Sequence, residues 1–156
     1  MILRVEEQPY AGGKRFDRKG GQNPDFIGIT SGEVRFTVLV EIKKPQTPLL
    51  RGEEEIRNGA WSLSKELTDA LAQIQSNTDQ WAWTSKSDEN RDALEKQGIY
   101  TVKPKGILVI GCLTELKEDR NKLQTFERFR QSISGIEIIT FDEVFERAKF
   151  IVDNSE

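Results

Sequence analysis

The chain has 156 residues, 36% of them hydrophobic and 31% charged, a composition typical of one globular domain with a single core. It contains no histidine and one cysteine, Cys112. These counts exclude Ser-His-Asp and Cys-His catalysis, histidine-ligated zinc, and any disulfide within the chain. Chemistry must therefore come from carboxylates, Lys, Arg, Gln and hydroxyls, which favours oxygen-ligated hard cations such as Mg²⁺.

The net charge of -3 argues against a general polyanion binder. However, the first third of the chain is mildly basic, which allows a local surface that faces nucleic acid. No apolar run reaches the roughly 20 residues of a membrane span, and no signal-peptide pattern follows Met1. We therefore expect a cytoplasmic protein without membrane contact.

The N-terminal segment, residues 1–23, is predicted to be flexible or only partly ordered. Residues 11–24 combine four glycines with four basic residues and a proline, which is typical of a loop or arm. The basic side chains could neutralise phosphates, although a solvated, poorly ordered segment has the same composition. They are Lys14, Arg15, Arg18 and Lys19.

A β-hairpin follows, with strands at 25–30 and 34–43 and a turn at Ser31–Glu33. One face of the second strand is apolar and is predicted to point into the core, namely Val34, Phe36, Val38, Val40 and Ile42. Glu41 and Lys43 must share the opposite face, because strand side chains alternate with period two.

The remainder of the chain predicts alternating helices and strands. A connector at 49–61 leads to a helix capped by Ser62 or Ser64, with an apolar stripe that Trp81 and Trp83 could extend. A polar stretch at 84–104 contains a short helix, and a buried strand is expected at 105–112. Further elements are a helix at 119–133, a strand at 136–141 and a helix at 142–152. This order predicts a single three-layer α/β domain, 1–156, with a mixed central sheet flanked by helices.

One acidic-x-Lys triplet has a defined geometry. Of the three such triplets, only Glu41-Ile42-Lys43 lies on a predicted strand, and the hairpin can bring Asp25 beside Glu41. Two neighbouring carboxylates repel each other unless a cation lies between them, and Mg²⁺ prefers such oxygen ligands. Lys43 could then orient or deprotonate a water and stabilise charge on a phosphorane. A surface Glu–Lys strand face with an ordinary Pro-Asp turn is the alternative.

These residues carry a family resemblance. Pro24-Asp25 followed by Glu41-Ile42-Lys43 resembles the signature of the PD-(D/E)xK nuclease superfamily. The segment Leu63–Leu67 leading to Ala70–Gln73 resembles the Shedu nuclease domain of bacterial anti-phage defence, as does Pro45 after the strand. The similarity covers residues 24–80. It implies a restriction-endonuclease-like fold and a DNA endonuclease that depends on Mg²⁺ or Mn²⁺.

The resemblance also implies roles for individual residues. Asp25 and Glu41 would bind the metal with the Ile42 carbonyl as a third ligand, and Lys43 would assist the attacking water. Gln73 would support the site from the helix. Periodicity alone does not choose between Gln73 and Gln75, and either could simply belong to the polar helix surface.

The sequence departs from the nuclease pattern at some positions, and it predicts residues that contact the substrate. Related nucleases often carry a tyrosine four residues after the helix glutamine, where this chain has Asn77. Some members also offer an acid before the first strand, for which only Glu6 and Glu7 are available. Lys44 follows the active strand and is expected to contact DNA, together with the four basic residues of the N-terminal segment.

Two alternatives to an active nuclease fit the same sequence. A nuclease-fold module without catalysis could bind nucleic acid or a partner protein, and an acidic interaction domain would suit the negative C-terminal half. Family resemblance also favours self-assembly into a homo-oligomer.

Overall fold

The hairpin forms two strands of the main sheet. The computed structural model describes residues 3–5, 24–52 and 55–154. Strand β1 (Leu3–Val5) pairs antiparallel with β2 (Phe26–Thr30), which pairs antiparallel with β3 (Arg35–Ile42). The register places Phe26 opposite Val40 and Ile29 opposite Thr37.

The elements after the hairpin follow the predicted alternation. The further strands are β4 (Leu50–Arg51), β5 (Ser62–Leu63), β6 (Ile99–Val109) and β7 (Ile136–Ile139). The helices are α1 (Lys65–Thr84), α2 (Asp88–Glu95), α3 (Arg120–Ser132) and α4 (Phe141–Asp153), and a 3-10 turn spans Leu113–Glu115. None of the described helices is both long and apolar enough to cross a membrane.

The main sheet is mixed, in the strand order β1-β2-β3-β6-β7. Arg35 N–H donates to Gly98 O, and the Thr37 hydroxyl meets the Thr101 hydroxyl, so partner numbers rise together along β3 and β6. That order identifies a parallel pair, since partner numbers would run in opposite directions in an antiparallel one. The predicted α/β fold with a mixed sheet flanked by helices is therefore confirmed.

The chain divides into two compact units. The first comprises residues 1–41 and 72–107. In this unit, Trp81 Nε1 donates to Thr101 Oγ1 over 3.4 Å, and Thr101 Oγ1 lies 2.8 Å from Thr37 Oγ1. The buried stripe of α1 therefore lies over the face of β3 that carries Thr37.

The second unit comprises residues 42–71 and 108–156. β4 and β5 form a small antiparallel sheet, and Ser64 Oγ then caps α1 by accepting from Leu67 N–H at 3.0 Å. Of the two predicted caps, Ser62 and Ser64, Ser64 is therefore the residue that caps the helix. In the same unit, Glu115 Oε1 accepts from Leu49 N–H at 2.8 Å, which ties the chain before β4 to the 3-10 turn.

Three local predictions are wrong. The prediction for β3 holds fully only at Val38, which is buried: Val34, Phe36 and Ile42 are exposed, and the opposite face with Thr37, Leu39 and Glu41 is buried because α1 covers it. Trp83 is 81% exposed while Trp81 is buried, since two positions along a helix turn the side chain away by about 200°. β6 begins at Ile99, in the stretch predicted as a polar loop, because exposed residues such as Val102 and Lys103 obscure its pattern.

Candidate active site

Glu41 is an almost completely buried carboxylate near the end of β3. Its exposed fraction is 2%, and Thr37 and Leu39 on the same face are buried with it. Its Oε2 atom accepts no hydrogen bond from the described residues, although the residue has other interactions. Burial of a carboxylate costs free energy unless charge or hydrogen bonds offset it, so this position requires a specific environment.

Asp25 lies across from Glu41 in the hairpin register. The paired register ends at Phe26 and Val40, and its extension by one residue would set Asp25 opposite Glu41. Residues directly opposite each other in an antiparallel pair share a face, with Cβ atoms about 5 Å apart. Asp25 is exposed and precedes the first residue of β2. The hairpin therefore offers one buried and one accessible carboxylate on a common face.

Lys43 continues the strand beyond Glu41. Its backbone N–H donates to Val109 O over 2.8 Å, so the chain stays paired after β3 ends at Ile42. Alternation along an extended chain directs the Lys43 side chain to the Glu41 side of the strand. The side chain of Ile42 between them is exposed, and only its carbonyl oxygen could serve as a ligand.

The two candidate glutamines of α1 differ in burial. Gln73 is half-buried, whereas Gln75 is exposed. Gln73 precedes Trp81 by eight residues, about 12 Å along a helix, and Glu41 follows Thr37 by four residues, about 13 Å along a strand. A helix that connects two parallel strands runs back against them. Since Trp81 lies over Thr37 through Thr101, Gln73 falls at the Glu41 end of β3.

The predicted basic contacts are only partly within the described residues. Lys44 has an exposed side chain, and its carbonyl accepts from Thr47 N–H at 3.0 Å and Gly111 N–H at 3.3 Å. Its backbone is therefore fixed while its ammonium group reaches solvent. Lys14, Arg15, Arg18 and Lys19 lie outside the described residues, as do Glu6 and Glu7.

Sequence reasoning missed the polar residues under α1. Thr37, Thr101 and Asn77 carry polar groups between the helix and the strands, and Asn77 is only 5% exposed. Asn77 falls within the stripe between Ile74 and Trp81. Its spacing was therefore the signal that could have placed it inside.

The oxygen atoms available at the candidate site can be compared with the ligands that a bound metal ion requires. Among the residues that the structure describes, no three Cys, Asp or Glu side chains form a cage. The predicted set is smaller, with the Asp25 and Glu41 carboxylates and the Ile42 carbonyl. Mg²⁺ commonly binds through one or two carboxylates and keeps several waters, so the oxygen donors present fit this ion.

Comparison with known proteins identifies the family. A family model described as "Shedu protein SduA, C-terminal" matches residues 2–145. The chain is also 30% identical over 158 residues to Shedu protein SduA of Bacillus cereus (strain B4264). The chain belongs to the Shedu family. This Shedu chain is covered to 95% by the alignment but spans only 39% of the relative's length, so the resemblance to Shedu is confirmed for this part of the protein.

Proposed function

We propose that this Shedu domain is a metal-dependent DNA endonuclease of the PD-(D/E)xK type that acts in the cytoplasm in bacterial anti-phage defence. The observation that carries the proposal is Glu41. It is a buried carboxylate at the end of a central strand, opposite Asp25 and two residues before Lys43. Membership of the Shedu family supports a defence role.

Asp25 and Glu41 would hold the metal, Mg²⁺ or Mn²⁺, with the Ile42 carbonyl. When bound, such an ion supplies a nucleophilic water at neutral pH and offsets phosphate charge. The burial of Glu41 favours cation binding, because a nearby positive charge stabilises a desolvated carboxylate. The exposure of Asp25 leaves the other side of the pair accessible to substrate.

Lys43 has a separate role in this proposal. Its ammonium group can donate hydrogen bonds to the attacking water or to a non-bridging phosphate oxygen, and its charge stabilises the negative charge that develops on phosphorus. Gln73 can donate from its side-chain amide at the Glu41 end of α1. Lys44 and the N-terminal basic residues would bind the DNA backbone without reading sequence.

A plasmid-cleavage assay tests the proposal. Supercoiled DNA is incubated with the purified chain in Mg²⁺, in Mn²⁺ and in EDTA, and the products are separated on agarose. We expect cleavage with either metal and none in EDTA. Glu41→Gln and Lys43→Ala should each lower the rate at least 100-fold, because each removes a charge that the transition state needs.

Lys117→Ala and Glu118→Gln are matched controls. Lys117 closes another Glu-x-Lys triplet outside any strand, and both side chains are exposed. These variants should keep wild-type rates. Cleavage in EDTA, or full activity of Lys43→Ala, would refute the mechanism. DNA binding without cleavage by the wild type would instead favour an inactive nuclease-fold module.

A further inference from the structure

The side-chain nitrogen of Asn77 is buried and has no hydrogen-bond acceptor among the described residues. Asn77 is 5% exposed, and its Nδ2 donates to no atom in the described part of the chain. Two neighbouring buried hydroxyls, one on α1 and one just after it, are satisfied locally, since Thr78 donates to Gln75 O and Ser85 to Ala82 O. An unsatisfied buried donor is destabilising, so a role outside folding would account for its presence.

The location of Asn77 follows from its neighbours on α1. It lies one helical turn after Gln73 and one turn before Trp81, whose indole N–H bonds to Thr101 above Thr37. Four residues of helix rise about 6 Å, roughly the length of two residues of strand. Asn77 therefore lies above β3 between Thr37 and Glu41, on the face that carries the Glu41 side chain.

Few buried polar side chains of the first unit could accept a hydrogen bond from Asn77 Nδ2. The first unit has five buried polar side chains in its described residues, which are Thr37, Glu41, Asn77, Thr78 and Ser85. Thr37 is engaged with Thr101, and the other two hydroxyls bond to helix carbonyls. A carboxylate has about four lone-pair positions, so Glu41 can accept a further hydrogen bond in addition to its other interactions.

We propose that Asn77 is a positioning residue for Glu41, and that its Nδ2 donates to the Glu41 carboxylate when this binds the metal. The inference rests on the proposed function. Carboxylates that bind metals are themselves usually held by hydrogen bonds, and loss of such a partner commonly weakens metal binding 10- to 100-fold. Asn77 fixes the carboxylate orientation and does not touch substrate, because it is buried beneath the helix.

Two readouts test this role. Mn²⁺ affinity is measured by the loss of the free-ion electron paramagnetic resonance signal on titration, and Tm is measured in EDTA. Asn77→Leu should weaken Mn²⁺ binding about 10- to 100-fold. The same variant should keep its Tm in EDTA or gain a few degrees, because it replaces an unsatisfied amide by an apolar group of similar size.

Thr78→Val is the matched control, since Thr78 is buried on the same helix and its hydroxyl donates to the helix carbonyl of Gln75. It should retain wild-type Mn²⁺ affinity. Asn77→Ala provides a second variant that introduces no steric clash, and it should show the same loss of affinity. A lower Tm with unchanged Mn²⁺ affinity in both Asn77 variants would overturn the role inferred for Asn77 but not the proposed function. Failure of the wild type to bind Mn²⁺ would overturn the proposed function as well.

Discussion

At the scale of single residues, Gly111 shows how closely the chain segments approach one another in the second unit. Its φ of +59° lies in the left-handed region, and an added Cβ would come within 2.7 Å of Thr47 O and 2.8 Å of Leu49 Cδ2. Its N–H donates to Lys44 O and its carbonyl accepts from Phe141 N–H. Glycine at this position is therefore required both by backbone conformation and by space.

Gly111→Ala should destabilise the protein more than Gly52→Ala does. Gly52 also has a positive φ, +73°, but nothing lies within 4 Å of an added Cβ, so its substitution should cost only about 1–2 kcal/mol. At Gly111 the clash should add roughly 1–3 kcal/mol. Urea denaturation of both variants measures the difference. Equal losses would show that the contact with Thr47 O is relieved by a small shift.

Residue-scale features of the candidate site were only partly accessible from sequence. Period-two alternation groups Glu41 with Lys43, and hairpin register groups Glu41 with Asp25, because both relations are local. The burial of Glu41 is not local. It depends on which face of β3 is covered by α1, a helix that begins more than 20 residues later. Asn77 is likewise identified by its missing acceptor, which only the folded structure displays.

At the scale of elements, α1 is held to the sheet by a hydrogen-bonded chain. The indole of Trp81 on the helix donates to the Thr101 hydroxyl on β6, and this hydroxyl is in turn hydrogen-bonded to the Thr37 hydroxyl on β3. This chain crosses three elements beneath a buried indole, and it sets the axial position of α1 over β3. The placement of Gln73 and Asn77 relative to Glu41 depends on it.

Trp81→Phe should lower the free energy of unfolding by about 1–2 kcal/mol, since it removes the indole N–H and leaves a small cavity. Trp83→Phe is the control, because Trp83 is exposed and should change stability by less than about 0.5 kcal/mol. Denaturant unfolding followed by circular dichroism measures both. Equal effects of the two substitutions would contradict the assigned packing.

Some helix and strand boundaries could be predicted from the sequence, and others could not. α3 and α4 lie within one residue of their predicted ends at each terminus, because caps and periodicity are local signals. β6 was predicted too short because its first half is mostly exposed after Ile99 and carries Thr101 and Lys103, which interrupts the apolar run typical of a buried strand. The strand exists there because it pairs with β3, a partner distant in sequence.

At the scale of the whole molecule, acid stability depends on two carboxylates at the start of α4. Burial raises the pKa of Asp142, but hydrogen bonds from the Thr140 hydroxyl and from the N–H groups of Leu113 and Thr114 outweigh it, and the pKa falls below its ordinary value. Burial also opposes the ionised form of Glu143, whose pKa is nevertheless lowered by the two-pronged contact with Arg130 at 2.8 and 2.9 Å.

A carboxylate whose pKa is lowered by folding stabilises the folded state above its unfolded pKa, and this contribution disappears as pH falls through the folded value. Asp142→Asn should therefore be less stable than the wild type at pH 7. The difference should shrink on acidification from about pH 5 downward, because the wild type then becomes neutral as well. Urea titrations between pH 7 and pH 2 measure this convergence. A constant difference would contradict the assignment.

The pairing of β3 with β6 has a consequence for how the chain folds. Thr37 and Thr101 are 64 residues apart, and the chain between them contains α1 and α2. Contacts between residues so distant in sequence raise the contact order and slow folding, since loop entropy is lost before the pairing contributes. The hairpin that holds Asp25 and Glu41 can form early. The cover over Glu41, which makes it a buried carboxylate, depends instead on elements that are distant in sequence.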